Sequence, residues 1–242
     1  MSDPKPPEQG NQPVNLPKLD FSMVIASAVH DMKNSLGMLI STLDDLRTEQ
    51  TDTDSSGTRL NTLQYEAERV HSDLVQLLGI YRLGEQKLSA HTDEHYVADF
   101  LKEQLARHEP LLKGYGVAYD VSADDELTGF FDEELIAGVI TSTINNAIRY
   151  TRSQILLTAR ADETGGLVIG IEDDGSGYPE HMQQAGTDVL LKSPDFRTGS
   201  TSLGLYFAAA IANLHQNNGL AGKIRLRNGG SLGGGVFEIC LP

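Results

Sequence analysis

From Phe21 to Leu46 the apolar residues recur at Phe21, Ile25, Ala28, Met32, Leu36, Leu39, Leu43 and Leu46. Steps of three and four are the period of an amphipathic helix and exclude the alternation of a half-buried strand. The pattern predicts a helix over about residues 20–47, with Asp20 placed to cap its start. The polar stretch TEQTDTDSSGT at 48–58 ends it. A second helix is predicted over about 58–89, with Leu60, Leu63, Ala67, Val70, Leu74, Leu77, Tyr81 and Leu88 on one stripe that only Gly84 interrupts. Two such helices make an antiparallel hairpin with an uncovered apolar seam. Pairing two hairpins into a four-helix bundle covers it, which predicts a homodimer. Packing the hairpin against the rest of its own chain is the other way to cover it.

His30 does not belong to the seam. At about 100° per residue it lies roughly 200° from Ala28, on a face with Ser27, Lys33, Asn34, Gly37 and Ser41. An exposed imidazole flanked by Asp31, with the Asn34 amide one turn further on, is a candidate nucleophile.

Residues 1–18 carry five prolines and almost no apolar side chains, and they read as a disordered tail. The net charge of −15 weighs against nucleic acid or an anionic membrane surface as the main partner. A single cysteine, Cys240, permits no disulfide within one chain, which fits a reducing compartment. No signal-peptide pattern and no apolar run near 18 residues is visible, so a soluble, cytoplasmic protein without membrane insertion is expected.

From about His95 onward the pattern turns to mixed α and β. Helices are predicted over about 96–113, 132–150 and 203–216, and strands near 116–121, 127–131, 155–160, 167–172, 223–228 and 235–241. The stretch 173–202 reads as irregular. This order suggests a sheet with helices on one face.

Three segments of this region carry chemistry. IEDDGSG at 171–177 ends a strand on Asp173, with Gly175 and Gly177 behind it to let a ligand approach the backbone closely. Taken alone, this is more often an ordinary strand ending in a glycine turn. INNAIRYT at 144–151 places Asn146 and Arg149 on the apolar helix, where an amide suits Mg²⁺ and a guanidinium suits phosphate; taken alone, Asn146 is more often a helix-surface or capping amide. GSTSLGL at 199–205 runs a small-residue loop into a helix N-terminus, which suits an anion. The residues before it, with Lys192 and Arg197, read as a mobile lid over phosphates.

HDMKN at 30–34, INNAIRYT, DDGSG and SLGL occur in the order and spacing of the two-component sensor histidine kinases, and FDEEL and VFEICLP fit as well. The chain resembles that family over about residues 20–242. The resemblance implies a multi-domain chain: the tail at 1–18, an all-α dimerisation and histidine-phosphotransfer hairpin at 19–92, and an α+β sandwich of the Bergerat (GHKL) ATP-binding type at 93–242. It implies that His30 accepts the phosphoryl group, beside the acid Asp31, and that Asn34 positions a water for phosphatase activity. Asn146 resembles the Mg²⁺-binding amide, Arg149 the basic residue near phosphate and Tyr150 the ring beside the nucleotide. Asp173 resembles the adenine-reading carboxylate, followed by Gly175 and Gly177, with Leu203 and Gly204 at the phosphate end.

Four positions depart from the family pattern. Ser35 replaces the proline that usually follows the histidine motif, and Ser142 the first asparagine of the asparagine helix. Ser202 replaces a glycine ahead of Leu-Gly-Leu, and Gly235 a threonine two residues before Phe237. The function implied is ATP- and Mg²⁺-dependent autophosphorylation of His30. Transfer to an aspartate of a response-regulator receiver domain follows, with an unknown partner supplying the stimulus. The alternative is a phosphotransfer protein that keeps His30 on a degenerate ATP-binding domain.

Overall fold

The computed structural model describes residues 32, 35–39, 42, 53–163, 165–184, 186–192 and 200–242. His30, Asp31 and Asn34 lie outside the described residues, as do the tail at 1–18 and Arg197. The described part of the first predicted helix, α1 at residues 35–39, is helical; Ser35 is buried while Leu36 of the expected seam is half-exposed.

The second helix, α2 (Thr53–Gly84), starts earlier and ends earlier than the 58–89 expected. Gly84 does not merely interrupt the spacing; it stops the helix. Glycine disfavours a helix by about 1 kcal/mol relative to alanine. The chain then turns through Gln86 at φ 56°, with Lys87 N–H donating to the Arg82 carbonyl. Leu88, expected on the stripe, lies beyond the helix and packs half-buried on the core.

A short strand β1 (Asp93–Tyr96) pairs antiparallel with β3 (Thr128–Phe131). Between them run helix α3 (Val97–Gly114) and strand β2 (Ala118–Ser122). Helix α4 (Glu133–Tyr150) follows; Asp132 caps it by accepting from Leu135 N–H, with Glu133 and Glu134 in the first turn and Arg149 in the last. That charge order suits the helix dipole. Strands β4 (Gln154–Ala161) and β5 (Leu167–Asp173) form a hairpin. The stretch expected to be irregular carries two short helices, α5 (Glu180–Gln183) and α6 (Thr187–Lys192), too short to show a periodic stripe. Helix α7 (Ser200–Leu214) precedes a two-residue pair, β6 (Gln216–Asn217) and β7 (Leu220–Ala221), then β8 (Lys223–Asn228) and β9 (Gly235–Leu241).

The main sheet runs β2-β4-β5-β9-β8, antiparallel except for the parallel β2–β4 pair. One face buries Ile155, Leu157, Ile169, Phe237 and Ile239 among the cores of the helices. The other carries a charged ladder: Glu238 accepts from Arg160 and Arg227, while Glu172 accepts from the amide and hydroxyl of Ser231. Helices on one face and a polar ladder on the other make an α+β sandwich.

α2 docks on this body rather than standing clear of it. Tyr65, Ile80 and Leu83 are buried in the shared core, and Gly79 approaches Phe207 of α7 so closely that an added Cβ would lie 2.7 Å from its ring. On the other side of α2, Leu74 and Tyr81 of the expected stripe are exposed, with Val75 and Leu78 beside them. Among the described residues no helix is long and apolar enough to cross a membrane.

Candidate functional site

β5 enters the sheet centre and ends on Asp173, so its carboxylate is delivered to the open end of the sandwich. Gly175 N–H at 2.7 Å and Gly235 N–H at 3.2 Å both donate to its Oδ1. The other oxygen, Oδ2, lies 2.7 Å from where a Cβ on Gly235 would sit. Glycine at 235 therefore leaves that oxygen uncovered, and the departure from the family's threonine follows from local packing. The Tyr178 ring lies 3.2 Å from the same point.

Asp173 lines a cavity of about 340 Å³ with Asn146 and Tyr150 of α4, Gly204 of α7, Tyr178 and Gly235. The volume lies at the lower end of small-molecule sites, a mostly apolar cleft with a few convergent polar groups. Burial and the neighbouring Asp173 carboxylate push the Tyr178 hydroxyl's pKa well up, so it stays protonated. Gly177 holds φ 79°, and a side chain there would meet the Asn228 amide, which itself accepts from Tyr178 N–H at 2.7 Å. Here the backbone needs glycine.

Asp174 holds the turn that follows α4. Burial raises its pKa, but the hydroxyls of Thr151 and Ser153 and the amides of Ser153 and Arg152 outweigh that and hold the carboxyl well below the usual range. These bonds lock the turn after α4 that carries Tyr150. Sequence reasoning passed over Asp174 in favour of its neighbour, and the doubled acid of DDG was the available signal. It also missed Tyr178 and Leu205, which line the cavity.

Leu203 was expected at the phosphate end, but it is fully buried in the core; Leu205, two residues on, meets the cavity instead. Gly175 is buried under the carboxylate as a backbone donor. Arg149 is exposed, with its guanidinium carbon 5.4 Å from the centroid of the Tyr150 ring, within cation–π range. It lines a narrow cleft against α2 together with Asn146, Arg69 and Asp73, rather than the main cavity. Across that cleft, the Tyr65 hydroxyl donates to the Asn145 carbonyl at 3.4 Å. Burial pushes the Tyr65 hydroxyl up to about 12. The side chains of Lys192 and Ser202 lie outside the described residues.

The site fits a purine nucleotide. Asp173 is an acceptor at the end of the cavity, Gly235 is a cradle that a side chain would fill, and Gly204 is a second close approach, where a Cβ would lie 2.9 Å from Ser142 Oγ. Among the described residues no cluster of three or more His, Cys, Asp or Glu is arranged to hold a metal ion. An Mg²⁺ ion here would draw on the Asn146 amide oxygen, water and phosphate oxygens, the usual set for this cation.

This layered sheet carries an acceptor carboxylate and glycines at one open end. Residues 131–242 match the family described as histidine kinase-, DNA gyrase B- and HSP90-like ATPases. Beyond that domain the chain resembles the two-component sensor histidine kinases. It is 27% identical to the sensor protein SrrB of Staphylococcus aureus (strain N315) over 236 residues, which cover 93% of this chain and 38% of SrrB. The chain thus spans well under half the length of the curated relatives it matches. Among solved structures, the Acinetobacter baumannii histidine kinase AdeS superposes with a TM-score of 0.58 at 17% identity, covering 88% of this chain and 96% of AdeS. The catalytic domain of histidine kinase ThkA gives 0.52 at 22% identity, covering 63% and 97%. These superpositions carry the fold.

Proposed function

We propose that the protein is an ATP-dependent histidine kinase that phosphorylates itself on His30 and passes the phosphoryl group to an aspartate of a response-regulator receiver domain. The observation that carries the reading is Asp173, with one carboxylate oxygen bound to backbone and the other beside Gly235 in a nucleotide-sized cavity. In this reading Asp173 accepts from the exocyclic amine of adenine, and the Tyr150 ring lies along the nucleotide. Asn146 gives its amide oxygen to Mg²⁺, which neutralises phosphate charge when bound. Arg149 supplies a guanidinium on the α2 side of Asn146. Asp31 accepts the proton on one ring nitrogen of His30 and leaves the other lone pair free to attack. Asn34 orients water for the reverse, phosphatase reaction.

The hairpin at 19–92 and the ATP-binding domain at 93–242 are the two functional units of this reading, with residues 1–18 as a tail. Homodimerisation through a four-helix bundle accounts for the apolar side chains that α1 and α2 leave exposed, among them Leu36, Met38, Leu74, Leu78 and Tyr81. The test is incubation with γ-labelled ATP of wild type, His30→Gln and Asn146→Ala. Acid-labile label on wild type and none on either variant is the expected result; label retained by His30→Gln defeats the assignment.

A second reading, a phosphotransfer protein that no longer binds nucleotide, is favoured by one observation. α2 reaches over the phosphate end of the cavity, where the Gln76 amide nitrogen donates to Ser142 Oγ at 3.1 Å. Calorimetric titration with Mg²⁺-ATP separates the readings: micromolar binding supports the kinase, and absent binding supports the relay protein.

A further inference from the structure

Asp173 shares its end of the nucleotide cavity with a second polar side chain. Tyr178 follows the glycine turn of DDGSG, and its backbone is pinned on both sides. Its N–H donates to Asn228 Oδ1 at 2.7 Å, and its carbonyl accepts from Asn228 Nδ2 and Gln183 Nε2, each at 2.9 Å. Gly177, at φ 79° and packed against the same Asn228 amide, fixes the approach. All of these bonds use the backbone of Tyr178. Its ring lines the cavity, and its hydroxyl makes no hydrogen bond among the described residues.

The ring and the Asp173 carboxylate meet at one place. A Cβ on Gly235 would lie 2.7 Å from Asp173 Oδ2, 3.2 Å from Tyr178 Cε2 and 3.4 Å from Tyr178 Cδ2. The ring edge next to the hydroxyl therefore flanks the same small volume as the uncovered carboxylate oxygen, and Gly235 adds no side chain to it. Burial first, then the Asp173 charge and Tyr150, pushes the Tyr178 hydroxyl's pKa well up. It carries its proton at neutral pH and is a donor, whereas the ionised carboxylate beside it is an acceptor. No hydrogen bond joins the two. Side by side they match a planar ligand that carries a donor next to an acceptor. Adenine shows that pattern on both sides of its exocyclic amine, with acceptor nitrogens at N1 and N7.

We propose that Tyr178 is a base-reading residue: while Asp173 Oδ2 accepts from the exocyclic amine of adenine, the Tyr178 hydroxyl donates to a ring nitrogen beside that amine. This role rests on the cavity binding ATP and deepens that reading. Gly235, where relatives carry threonine, leaves room for the ring. A tyrosine that serves packing alone is replaceable by phenylalanine, and one that donates to the base is not.

Calorimetric titration of the full chain with Mg²⁺-ATP, Mg²⁺-1-deaza-ATP and Mg²⁺-7-deaza-ATP, wild type beside Tyr178→Phe, tests the proposal. The hydroxyl holds no bond in the folded chain, so Tyr178→Phe keeps the fold, and a matching urea midpoint checks this. Tyr178→Phe is expected to bind ATP about fivefold more weakly than wild type, the worth of a neutral hydrogen bond. Wild type is expected to bind one of the two deaza analogues more weakly than ATP by a similar factor, and Tyr178→Phe to bind that analogue and ATP alike. Wild type that binds both analogues as tightly as ATP overturns the assignment and leaves the kinase reading in place. So does an ATP affinity that Tyr178→Phe leaves unchanged, or an analogue penalty that persists in Tyr178→Phe. Wild type that binds no ATP overturns both.

Discussion

The Gln76 amide nitrogen on α2 donates to the Ser142 hydroxyl on α4 at 3.1 Å and to the Ser72 hydroxyl at 3.0 Å. All three side chains are buried, and Gly204 of the nucleotide cavity lies against the same cluster. The serine that stands where relatives carry asparagine is therefore an anchoring point for the hairpin helix.

Gln76→Leu removes both donors and leaves two hydroxyls buried without them. Each such loss costs about 1 kcal/mol or somewhat more. The expected outcome is a destabilisation of about 2 kcal/mol, seen as a lower urea midpoint, with α2 amides exchanging faster in hydrogen-exchange measurements.

Gly235→Thr restores the residue usual in relatives, yet it is expected to weaken nucleotide binding here. Its Cβ would lie 2.7 Å from Asp173 Oδ2 and 3.2 Å from the Tyr178 ring, closer than carbon and oxygen tolerate. A loss of about tenfold or more in affinity for a fluorescent ATP analogue is predicted, equivalent to about 1.4 kcal/mol. An unchanged or tighter affinity would show that the carboxylate does not read the base.

Asp174→Ala removes the acceptor that holds the turn from Thr151 to Gln154. A destabilisation of about 2 kcal/mol is expected, since several of these bonds go to a charged group. The carboxyl's pKa is depressed in the folded chain, so its contribution is complete above the ordinary value of 3.8 and is lost as pH falls through the folded value. Wild type is therefore expected to lose stability more steeply than Asp174→Ala below that pH in acid titrations followed by circular dichroism.

His215 is buried and neutral: its Nδ1 donates to the Ile211 carbonyl and its Nε2 accepts from Asp132 N–H at 3.0 Å. Burial lowers its pKa below 6.5, against the opposing pull of the Ile211 carbonyl and the Asp132 charge. The unfolded chain therefore binds the proton first. Stability from this group is complete above pH 6.5 and declines as pH falls toward the folded value, by up to about 1.4 kcal/mol per unit. Melting temperature against pH, wild type beside His215→Gln, is the check; parallel curves between pH 7 and 5 would refute it.

Much of the fold is legible because its signals are local. α4 falls within a residue of its expected bounds, since Asp132 caps a strongly apolar helix that Tyr150 closes. β5 and β9 sit where the sequence pattern places them, and every residue of both central strands is buried. Asp173, Asn146, Tyr150 and Gly204 come together in one cavity from three separate motifs. β1 has no such signal: DEHY carries no alternation, and it is a strand because Phe131 and its neighbours offer it an edge.

The sequence by itself determined the periods of the helices, the order of the strands and the glycines that open the nucleotide cavity, because each depends on residues close in the chain. Only the tertiary structure decided which side of α2 is buried. That helix has apolar residues on two sides, Tyr65, Ile80 and Leu83 on one and Leu74, Leu78 and Tyr81 on the other. Helical spacing is satisfied by either. The choice rests on shape at a distance, where Gly79 leaves room for the Phe207 ring and Ser142 offers Gln76 a hydroxyl.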